Sequence, residues 1–291
     1  MKIARPAGER VFEIFNILFM FVLIFVTLYP LWYVLVASFS NPVGVARGLV
    51  VFKPYGFELA SYRKVSDTPN IWTAYGNTVF YSVAGTFVNM AFTVLGAYPL
   101  SKRRLKGRRL FMLMILITMW FGAGMMPTLL NFRNLGLLDN RLGIILCFAI
   151  STYYVILMRT FFENVPSEME ESAKMDGAND FRILFRIYLP LSVPALATLT
   201  MYYFVGRWNS YFWSMLILRD QTKIPLQVLL RRLIVEVSYS VGESQDMSAK
   251  DLSEQTVVYA TIIVSVIPML CLYPFIQRFF VKGIMVGAIK G

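Results

Sequence analysis

The sequence predicts an all-α protein that crosses a membrane several times, and three observations support that prediction. Hydrophobic residues make up 57% of the 291 residues and the mean hydropathy is +0.59, which is too apolar for an ordinary soluble domain. Charged residues, 15% of the chain, cluster between the apolar runs. Six of these runs reach the length of roughly 20 residues that an α-helix needs to cross a bilayer. The expected fold class is therefore an all-α polytopic membrane protein with six transmembrane helices in a single domain, residues 1–291.

The six expected spans follow one another along the whole chain. The first is too long for the core of a signal peptide and lacks a small-residue cleavage site, so we expect it to be retained. A polar loop over residues 219–256 separates the fifth span from the sixth, and we expect it to be external. The spans are expected at residues 14–39, 74–101, 110–131, 142–162, 189–218 and 257–279.

The distribution of lysine and arginine predicts which ends face the cytoplasm. Sixteen basic residues and eight acids lie at the termini and in the loops after the second and fourth spans, whereas the opposite loops hold 11 basic residues and nine acids. Because loops rich in lysine and arginine stay in the cytoplasm, both termini are expected there. This topology also explains the formal net charge of +11, so membrane lipid is an expected partner and nucleic acid is not.

Several function classes are disfavoured by what the sequence lacks. It contains no histidine, and Cys147 and Cys271 each lie inside an apolar run, so neither a metal site nor a disulfide is expected. Away from their ends the six runs hold no Asp or Glu of the kind that ion-coupled carriers use, and no G-x-x-x-x-G-K-[ST] phosphate loop occurs. No catalytic residue is expected, and uphill transport would need a partner to supply energy. A passive channel or a subunit of a membrane enzyme remains an alternative on these grounds.

A short charged helix is predicted over residues 168–177, on the cytoplasmic side between the fourth and fifth spans. Pro166 suits a helix start, and Ser167 and Glu170 have the spacing of a capping box. Gly177 is well suited to a left-handed C-cap. The helix is too short to be stable alone, so the spans on either side must hold its ends. It is either a docking element for a cytoplasmic partner or a solvated loop helix.

A second helix is predicted directly after this one, capped by Asn179 or Asp180. Four apolar residues share one of its faces at the spacing i, i+3, i+4 and i+7, so the helix is expected to lie against the inner membrane surface. Pro190 then opens the fifth span. The residues of this apolar stripe are Phe181, Leu184, Phe185 and Tyr188.

These two helices carry a family resemblance. The string E-S-A-x-x-x-G at residues 171–177, followed by I-x-L-P at residues 187–190, resembles the EAA signature of permeases of ATP-binding cassette (ABC) importers. Three more segments resemble the maltose-type carbohydrate permeases, especially the group that serves complex sugars with lipoprotein-like binding proteins. These segments are T-V-L-G-A-Y-P-L-S-K at residues 93–102, R-W-N-S-Y at residues 207–211 and the K-G-containing C-terminus at residues 281–291.

The resemblance implies a type I ABC importer permease fold and an assembly of several chains. The implied partners are a second homologous permease, two ATPase subunits and an extracytoplasmic solute-binding protein, in a bacterial cytoplasmic (inner) membrane. The chain is implied to be a transport subunit and not an enzyme. It is implied to bind no cofactor, because ATP and Mg are held by the partner ATPase subunits. The implied solute is an oligosaccharide, with a non-sugar solute as the alternative.

The resemblance also implies which residues couple the chain to the ATPase. Glu171 corresponds to the charged contact with an ATPase arginine, and Asp176 adds cap or contact charge. Ala173 and Gly177 permit close packing. The C-terminal tail is implied to reach the ATPase pair as well. The full set of implied coupling residues is Glu171, Ala173, Asp176, Gly177, Pro190, Lys290 and Gly291.

The solute path is expected between this chain and the second permease, because six helices of one subunit enclose little space. Arg207 is the one charge well inside an apolar run, towards the outer end of the fifth span. It is expected either to anchor at the membrane interface or pack against a helix, or to face the path, where it would suit an acidic saccharide such as a uronate oligomer. Trp208, Asn209 and Tyr211 offer sugar-stacking and hydrogen-bonding groups beside it.

Overall fold

Helices joined by turns and, over residues 47–59, by a longer loop make up the structure, a computed structural model that describes residues 7–243 and 249–288. A one-turn π-helix, Leu184–Tyr188, connects α10 with α11. Over the described residues the fold is therefore all-α, as the sequence predicts. The α-helices are α1 (Ala7–Ser38), α2 (Pro42–Ala46), α3 (Ala60–Ser66), α4 (Pro69–Ser101), α5 (Arg108–Trp120), α6 (Met125–Asn134), α7 (Arg141–Leu146), α8 (Thr152–Glu163), α9 (Ser167–Met175), α10 (Asp180–Ile183), α11 (Leu189–Leu191), α12 (Val193–Trp208), α13 (Phe212–Ile217), α14 (Leu226–Glu243) and α15 (Ala249–Ala288).

The chain divides into two compact units. In the first unit, Val36, Ala37, Val45 and Val50 form a small buried core at the end of α1. The second unit holds larger cores and both of the candidate sites described below. The first unit is residues 1–69 and 232–266, and the second is residues 70–231 and 267–291.

Among the described residues, three helices are long and apolar enough to cross a membrane by themselves. They are Val11–Ser38, Pro69–Ser101 and Glu254–Pro274, and they correspond to the first, second and sixth expected spans. The third expected span corresponds to one bent pair of helices. The fifth, residues 189–218, begins at the bend of a second pair and continues through α12 and α13, so it is not one helix. α5 and α6 meet at 113°, and the helical segment Asp180–Leu191 meets α12 at 85°. Counting each bent pair as one span gives up to five candidate spans over the described part of the chain.

The fourth expected span, residues 142–162, is interrupted in the structure. α7 ends at Leu146 and α8 begins at Thr152. Between them, Phe148 has a φ of 51°, which a right-handed helix does not allow. The interruption leaves carbonyl groups at the end of α7 without partners in their own helix. An arginine from another helix binds two carbonyls of this last turn, as described below.

A helix occupies much of the segment expected to be an external polar loop, residues 219–256. α14 lies within this segment, and its residues Leu226, Val228 and Leu230 are buried. Apolar residues recur along α14 at helical spacing, but interspersed charged residues give the segment the composition of a loop. Periodicity is therefore the better guide to this element than composition.

α4 runs through the second unit and contributes to two hydrophobic cores there. Towards its C-terminal end, Val94 and Tyr98 pack in one core with residues of α8, the π-helix and α12. Further towards its N-terminus, Tyr81 packs in the other core with residues of α7, α13 and α14. α4 thus shares these two cores with α7, α8, α12, α13, α14 and the π-helix.

Polar side chains near the N-terminus of α4 hold the segment that leads into α14, residues 222–226. Nδ2 of Asn77 donates to two backbone carbonyls of this segment, at 2.8 and 3.1 Å, and the Tyr81 hydroxyl donates to a third at 2.8 Å. Oγ1 of Thr78 accepts a hydrogen bond from the first N–H of α14 at 2.8 Å. The segment is therefore attached to α4 by its backbone.

Candidate functional site

α9 is the short charged helix that the sequence predicts. Pro166 occupies its N-cap position, with φ −56°. Gly177 follows its C-cap with φ +76°, in the left-handed region that favours glycine. The N–H groups of Gly177 and Ala178 donate to carbonyls of the preceding turn, at 3.0 and 2.9 Å. The left-handed termination predicted for Gly177 is present, and the chain then turns into α10, where the side chain of Asn179 accepts a hydrogen bond as the N-cap.

Glu170 does not form the capping box that its spacing from Ser167 suggests. The residue is 8% exposed, and its side chain is buried among groups from other elements. Nζ of Lys102 lies 2.5 Å from Oε2 of Glu170, and the Tyr188 hydroxyl donates to the same oxygen at 2.8 Å. Lys174, one turn along α9, donates to Oε1. The carboxylate therefore joins α9 to the residue after α4 and to the π-helix, and the capping-box interpretation is wrong.

The surroundings of this carboxylate favour its ionised form. Burial by itself would raise the pKa of Glu170, but hydrogen bonds from Lys102, Lys174 and Tyr188 outweigh burial and lower that pKa to about 2. Nζ of Lys102 also lies over the rings of Tyr98 and Tyr188, at 4.1 and 3.6 Å from their centroids. Rings in this position stabilise a cation. The pKa of Lys102 is nevertheless lowered, because burial disfavours its ammonium more than the hydrogen bond and charge of Glu170 favour it.

The opposite face of α9 is exposed and combines charge with an apolar tip. Glu171 and Asp176 are exposed, and Met175 is 88% exposed. Ala173 is partly buried against the core of its own chain, so its small side chain lets α9 lie close to that core. Gly177 has open space around it, and its positive φ accounts for the glycine. Of the predicted coupling residues on and beside α9, Glu171 and Asp176 present charge outwards.

The apolar stripe predicted for the second helix is divided between two environments. Leu184 and Tyr188 are buried in the core, whereas Phe181 and Phe185 are 65% and 60% exposed. The π-helix explains the difference, because its wider turn changes the side-chain register that a regular α-helix would have. Half of the stripe therefore faces the core, and half is left uncovered by this chain.

The remaining predicted coupling residues lie at the start of the fifth expected span and at the C-terminus. Pro190 is in α11 and is exposed. Lys290 and Gly291 lie outside the described residues. Of these three residues, the structure therefore places Pro190 alone, at the entrance to the bent pair that includes α12.

Arg207 lies near the end of α12, and its guanidinium is bound by neutral acceptors. Oδ1 of Asn89, on α4, accepts from Nε at 3.1 Å and from Nη2 at 2.7 Å. The carbonyl of Ile144 accepts from Nη1 at 2.6 Å, and that of Ile145 accepts from Nη2 at 3.0 Å. Gly85 provides the room, since a Cβ there would lie 2.9 Å from Nε of Arg207. The side chain is thus packed between helices, and its hydrogen bonds keep it from reaching outwards as an interface anchor.

A cleft of about 240 Å³ opens beside Arg207. The rings of Tyr154 and Tyr203 meet edge to face with centroids 4.7 Å apart, and the Tyr203 hydroxyl is 2.7 Å from Oγ1 of Thr93. Ring faces for stacking and hydroxyl and amide groups for hydrogen bonding suit a polar ring-shaped ligand. The lining includes Asn89, Tyr154, Tyr202, Tyr203, Arg207 and Trp213.

The three residues predicted beside Arg207 are not among those that line this cleft. Trp208 is 2% exposed and packs edge to face against Tyr75, with ring centroids 5.9 Å apart. Nδ2 of Asn209 donates to a carbonyl of its own helix at 3.0 Å. Tyr211 packs edge to face against the next residue in the chain. Of the four residues predicted for the solute path, Arg207 alone reaches the cleft in the described structure.

Several residues of both sites were missed by sequence reasoning. Gly85 and Asn89 are one turn apart on α4, and a small residue followed by a polar one on the same face of an apolar span is the pattern that could have identified them. Lys102 and Glu170 are 68 residues apart, so no local pattern relates them.

Comparisons with known proteins indicate one class of membrane protein. A family model described as "Binding-protein-dependent transport system inner membrane component" matches residues 110–286. The polygalacturonan/rhamnogalacturonan transport system permease protein YtcP of Bacillus subtilis is 42% identical over 286 residues, which cover 97% of this chain and 99% of that protein. The arabinooligosaccharides transport system permease protein AraQ of Halalkalibacterium halodurans is 26% identical over 272 residues, 92% of each chain.

Two solved structures are similar over nearly the whole length. One contains a chain of a bacterial ABC transporter involved in the import of the acidic polysaccharide alginate. It is 42% identical with a TM-score of 0.88, and the similarity covers 96% of this chain and 100% of that one. The other is a bacterial alginate ABC transporter in complex with alginate pentasaccharide-bound periplasmic protein. Its matched chain is 15% identical with a TM-score of 0.58 and covers 91% of this chain, so it supports the fold alone.

Proposed function

Since the chain belongs to the family of binding-protein-dependent transport system inner membrane components, as a carbohydrate permease subunit of an ABC importer and not an enzyme, we propose that it forms half of a pathway for an oligosaccharide. A second, homologous permease forms the other half. Two ATPase subunits hold the ATP and Mg that drive transport, and an extracytoplasmic solute-binding protein delivers the sugar. The chain crosses the bacterial cytoplasmic (inner) membrane six times, with both termini in the cytoplasm.

The geometry of α9 is the observation that carries this proposal. This helix of nine residues exposes Glu171 and ends in an exposed Met175. On its buried side, Glu170 holds it to the rest of the chain through Lys102. A helix held this way moves as one piece when another protein pushes on its exposed face. α9 is therefore the proposed coupling helix, and the ATPase is the proposed partner of its exposed face.

Reversing the charge at Glu171 tests this assignment. Glu171→Lys places a cation where the ATPase is proposed to present an arginine, so uptake in cells should fall by about 10-fold or more, within the range of allosteric coupling between sites. Membrane insertion should be unchanged, because the side chain is exposed. Glu168→Lys makes the same charge change in the first turn of α9 and serves as the matched control, with a smaller expected effect. Normal uptake by Glu171→Lys would exclude this residue as the coupling contact.

The proposed solute is an acidic oligosaccharide of the uronate type. Arg207 binds Asn89 and two carbonyls, and within the described ranges no carboxylate forms an ion pair with it, so its positive charge remains uncompensated beside the cleft. A carboxylate-bearing sugar supplies the missing negative charge. The names of the relatives that are 42% identical, for polygalacturonan/rhamnogalacturonan and for alginate, support the same chemistry.

Two substitutions of Arg207 separate charge from shape. Arg207→Gln removes the charge, whereas Arg207→Lys retains the charge but loses the fork of donors. Uptake of a galacturonate oligomer should fall more with Arg207→Gln than with Arg207→Lys, and uptake of a neutral oligosaccharide of equal length should not distinguish the two variants. If both variants lose both solutes equally, the charge argument is wrong. A neutral oligosaccharide then becomes the better candidate, in line with the arabinooligosaccharide permease.

A further inference from the structure

We propose that Lys102 and Glu170 are positioning residues for transport, and that their buried ion pair passes the movement of the coupling helix to α4. This ion pair is called the α4–α9 joint below. The inference rests on the proposed function, because it takes α9 to be the helix that an ATPase moves. It assigns to α4 the task of carrying that movement to the cleft beside Arg207.

The joint is built so that its two sides move together. Lys102 and Glu170 are each 8% exposed, and Nζ and Oε2 are 2.5 Å apart. Pulling them apart would leave the buried ammonium of Lys102 without this carboxylate, which is unfavourable in a poorly solvated site. Glu170 would keep Lys174 of its own helix and Arg104, 3.7 Å away, as its remaining cations. Tyr188 donates to the carboxylate and also places its ring beneath the ammonium, so it fixes the orientation of both partners. A displacement of α9 is therefore transmitted through the joint instead of being absorbed there.

α4 extends from the joint to the cleft as one helix. Asn89 lies 13 residues before Lys102 in the sequence, or about 20 Å along a helix at the standard rise. Oδ1 of Asn89 accepts two hydrogen bonds from Arg207, and these bonds connect α4 to the arginine that lines the cleft. Beyond Asn89, the same helix holds the backbone of residues 222–226 through Asn77 and Tyr81. A shift of α4 would thus act on the cleft and on that segment at once.

The covalent route from α9 to the cleft has a different geometry. It passes through α10, the π-helix and α11 into α12, and the axis turns by 85° where α12 begins at Val193. A push along α10 and α11 therefore reaches α12 across its axis, whereas the push through the joint enters α4 at its C-terminal end. The two routes give α4 and α12 different displacements, and the Asn89–Arg207 contact lies where the two helices meet. This is why the joint can change the cleft.

The experiment uses the complete importer, reconstituted with its partner permease, ATPases and binding protein. The quantity measured is the ratio of ATP hydrolysis with a binding protein loaded with a galacturonate oligomer to basal hydrolysis, per assembled complex. Glu170→Gln and Lys102→Met should each lower this ratio about 5-fold or more, the lower end of typical coupling between sites. Lys102→Arg retains the cation and should restore the ratio. Glu163→Gln is the matched control, because it makes the same chemical change in an ion pair that does not involve α9.

A double-mutant cycle distinguishes transmission through α4 from loss of structure. If α4 carries the signal, Asn89→Ala combined with Glu170→Gln should lower the ratio no further than the more severe single variant does. Multiplying effects would mean that the two contacts act independently, which overturns the proposal. A normal ratio in both Glu170→Gln and Lys102→Met would also overturn it. If Glu171→Lys still abolishes coupling, the joint alone is wrong; if Glu171→Lys has no effect either, the proposed coupling role of α9 fails with it.

Discussion

The absence of a side chain at Gly85 is what allows Arg207 to reach its acceptors. A Cβ at this position would lie 2.9 Å from Nε and 3.0 Å from Cδ of Arg207. Those atoms are in the middle of a side chain whose end is held by Asn89 and two carbonyls, so they cannot move aside without breaking hydrogen bonds. A methyl group at Gly85 therefore acts on the guanidinium as directly as a change of the arginine does.

Gly85→Ala should lower uptake of a uronate oligomer by about 10-fold, because a loss of roughly 1.4 kcal/mol is modest for a displaced buried hydrogen-bonding group. Gly96→Ala is the matched control on the same helix, since its Cβ would meet Val155 at an ordinary 3.8 Å. Uptake and membrane abundance of both variants should be measured together. Equal uptake by the two variants at equal abundance would show that the contact with Arg207 tolerates the methyl group.

The ionisation of Glu170 makes a prediction about pH. Its pKa is lowered from 4.5 to about 2, so the carboxylate stabilises the docking of α9 above pH 4.5, and this stabilisation is lost as the pH falls through about 2. Hydrogen exchange over α9 should therefore be slower in the native protein than in Glu170→Gln near neutral pH, and the difference should shrink as the pH falls from 4.5. A difference that stays constant down to about pH 2 would contradict the lowered pKa.

Single residues could be predicted from the sequence where the local backbone conformation determines which residue type fits. The left-handed conformation of Gly177 follows from its place after a short helix, and the structure has it. The burial of Glu170 could not be predicted in this way, because the partner that buries it, Lys102, is distant in the sequence and only the fold brings them together. The role of Arg207 in packing was foreseen only as one alternative, since its acceptors are an amide and backbone carbonyls from other elements.

At the scale of elements, the end of α9 is the feature that a single substitution is expected to disturb most. Gly177→Ala keeps the turn but forces a Cβ into a left-handed conformation, at a cost of about 1 kcal/mol. Hydrogen exchange in the last turn of α9 should become faster, and transport should fall less than with Glu171→Lys. Gly76→Ala is the control, because that glycine is helical and has open space around it. Faster exchange in both variants would point to a general effect and not to the turn.

An element could be predicted when the residues that stabilise it lie within it or directly beside it in the sequence. Long apolar helices such as α1 and α4 follow from length and hydropathy, and α9 follows from its flanking signals. The interruption between α7 and α8 could not be foreseen, because it is compensated by Arg207 from another helix. α14 was not predicted, because its charged residues gave the segment the composition of a loop. Leu226 and Val228, at the start of its buried face, were the signal for a helix.

At the scale of the whole molecule, the six-span arrangement with cytoplasmic termini remains a prediction. Reporter fusions placed after Lys106 and after Asn179 should behave as cytoplasmic, and fusions after Gly136 and after Gln221 should behave as external. The basic loop after α4 determines this expectation, because loops rich in lysine and arginine stay inside. A cytoplasmic reporter signal after Gly136 would require one fewer crossing before that point and would move α9 to the other side of the membrane.

The global arrangement was only partly accessible from sequence. Six apolar runs are visible, but the third is a bent pair, the fourth is interrupted and the fifth begins at a bend and is divided between α12 and α13, so hydropathy identifies the segments without giving their shapes. α1 is an element whose packing partners cannot be found within this chain alone. None of its membrane-length window is buried within this protein, so its surroundings are supplied by lipid or by other subunits.

The hydrogen bonds from Arg207 to the carbonyls of Ile144 and Ile145 affect how the sequences of related permeases should be interpreted. The guanidinium satisfies backbone oxygens that the end of α7 leaves without a partner, so the chain needs the arginine's fork of donors for its own structure as well as for an acidic solute. An arginine at this position in a relative is therefore not by itself evidence that the relative imports a uronate. Side chains that line the cleft without binding these carbonyls, such as Tyr154 and Trp213, report on the solute more directly.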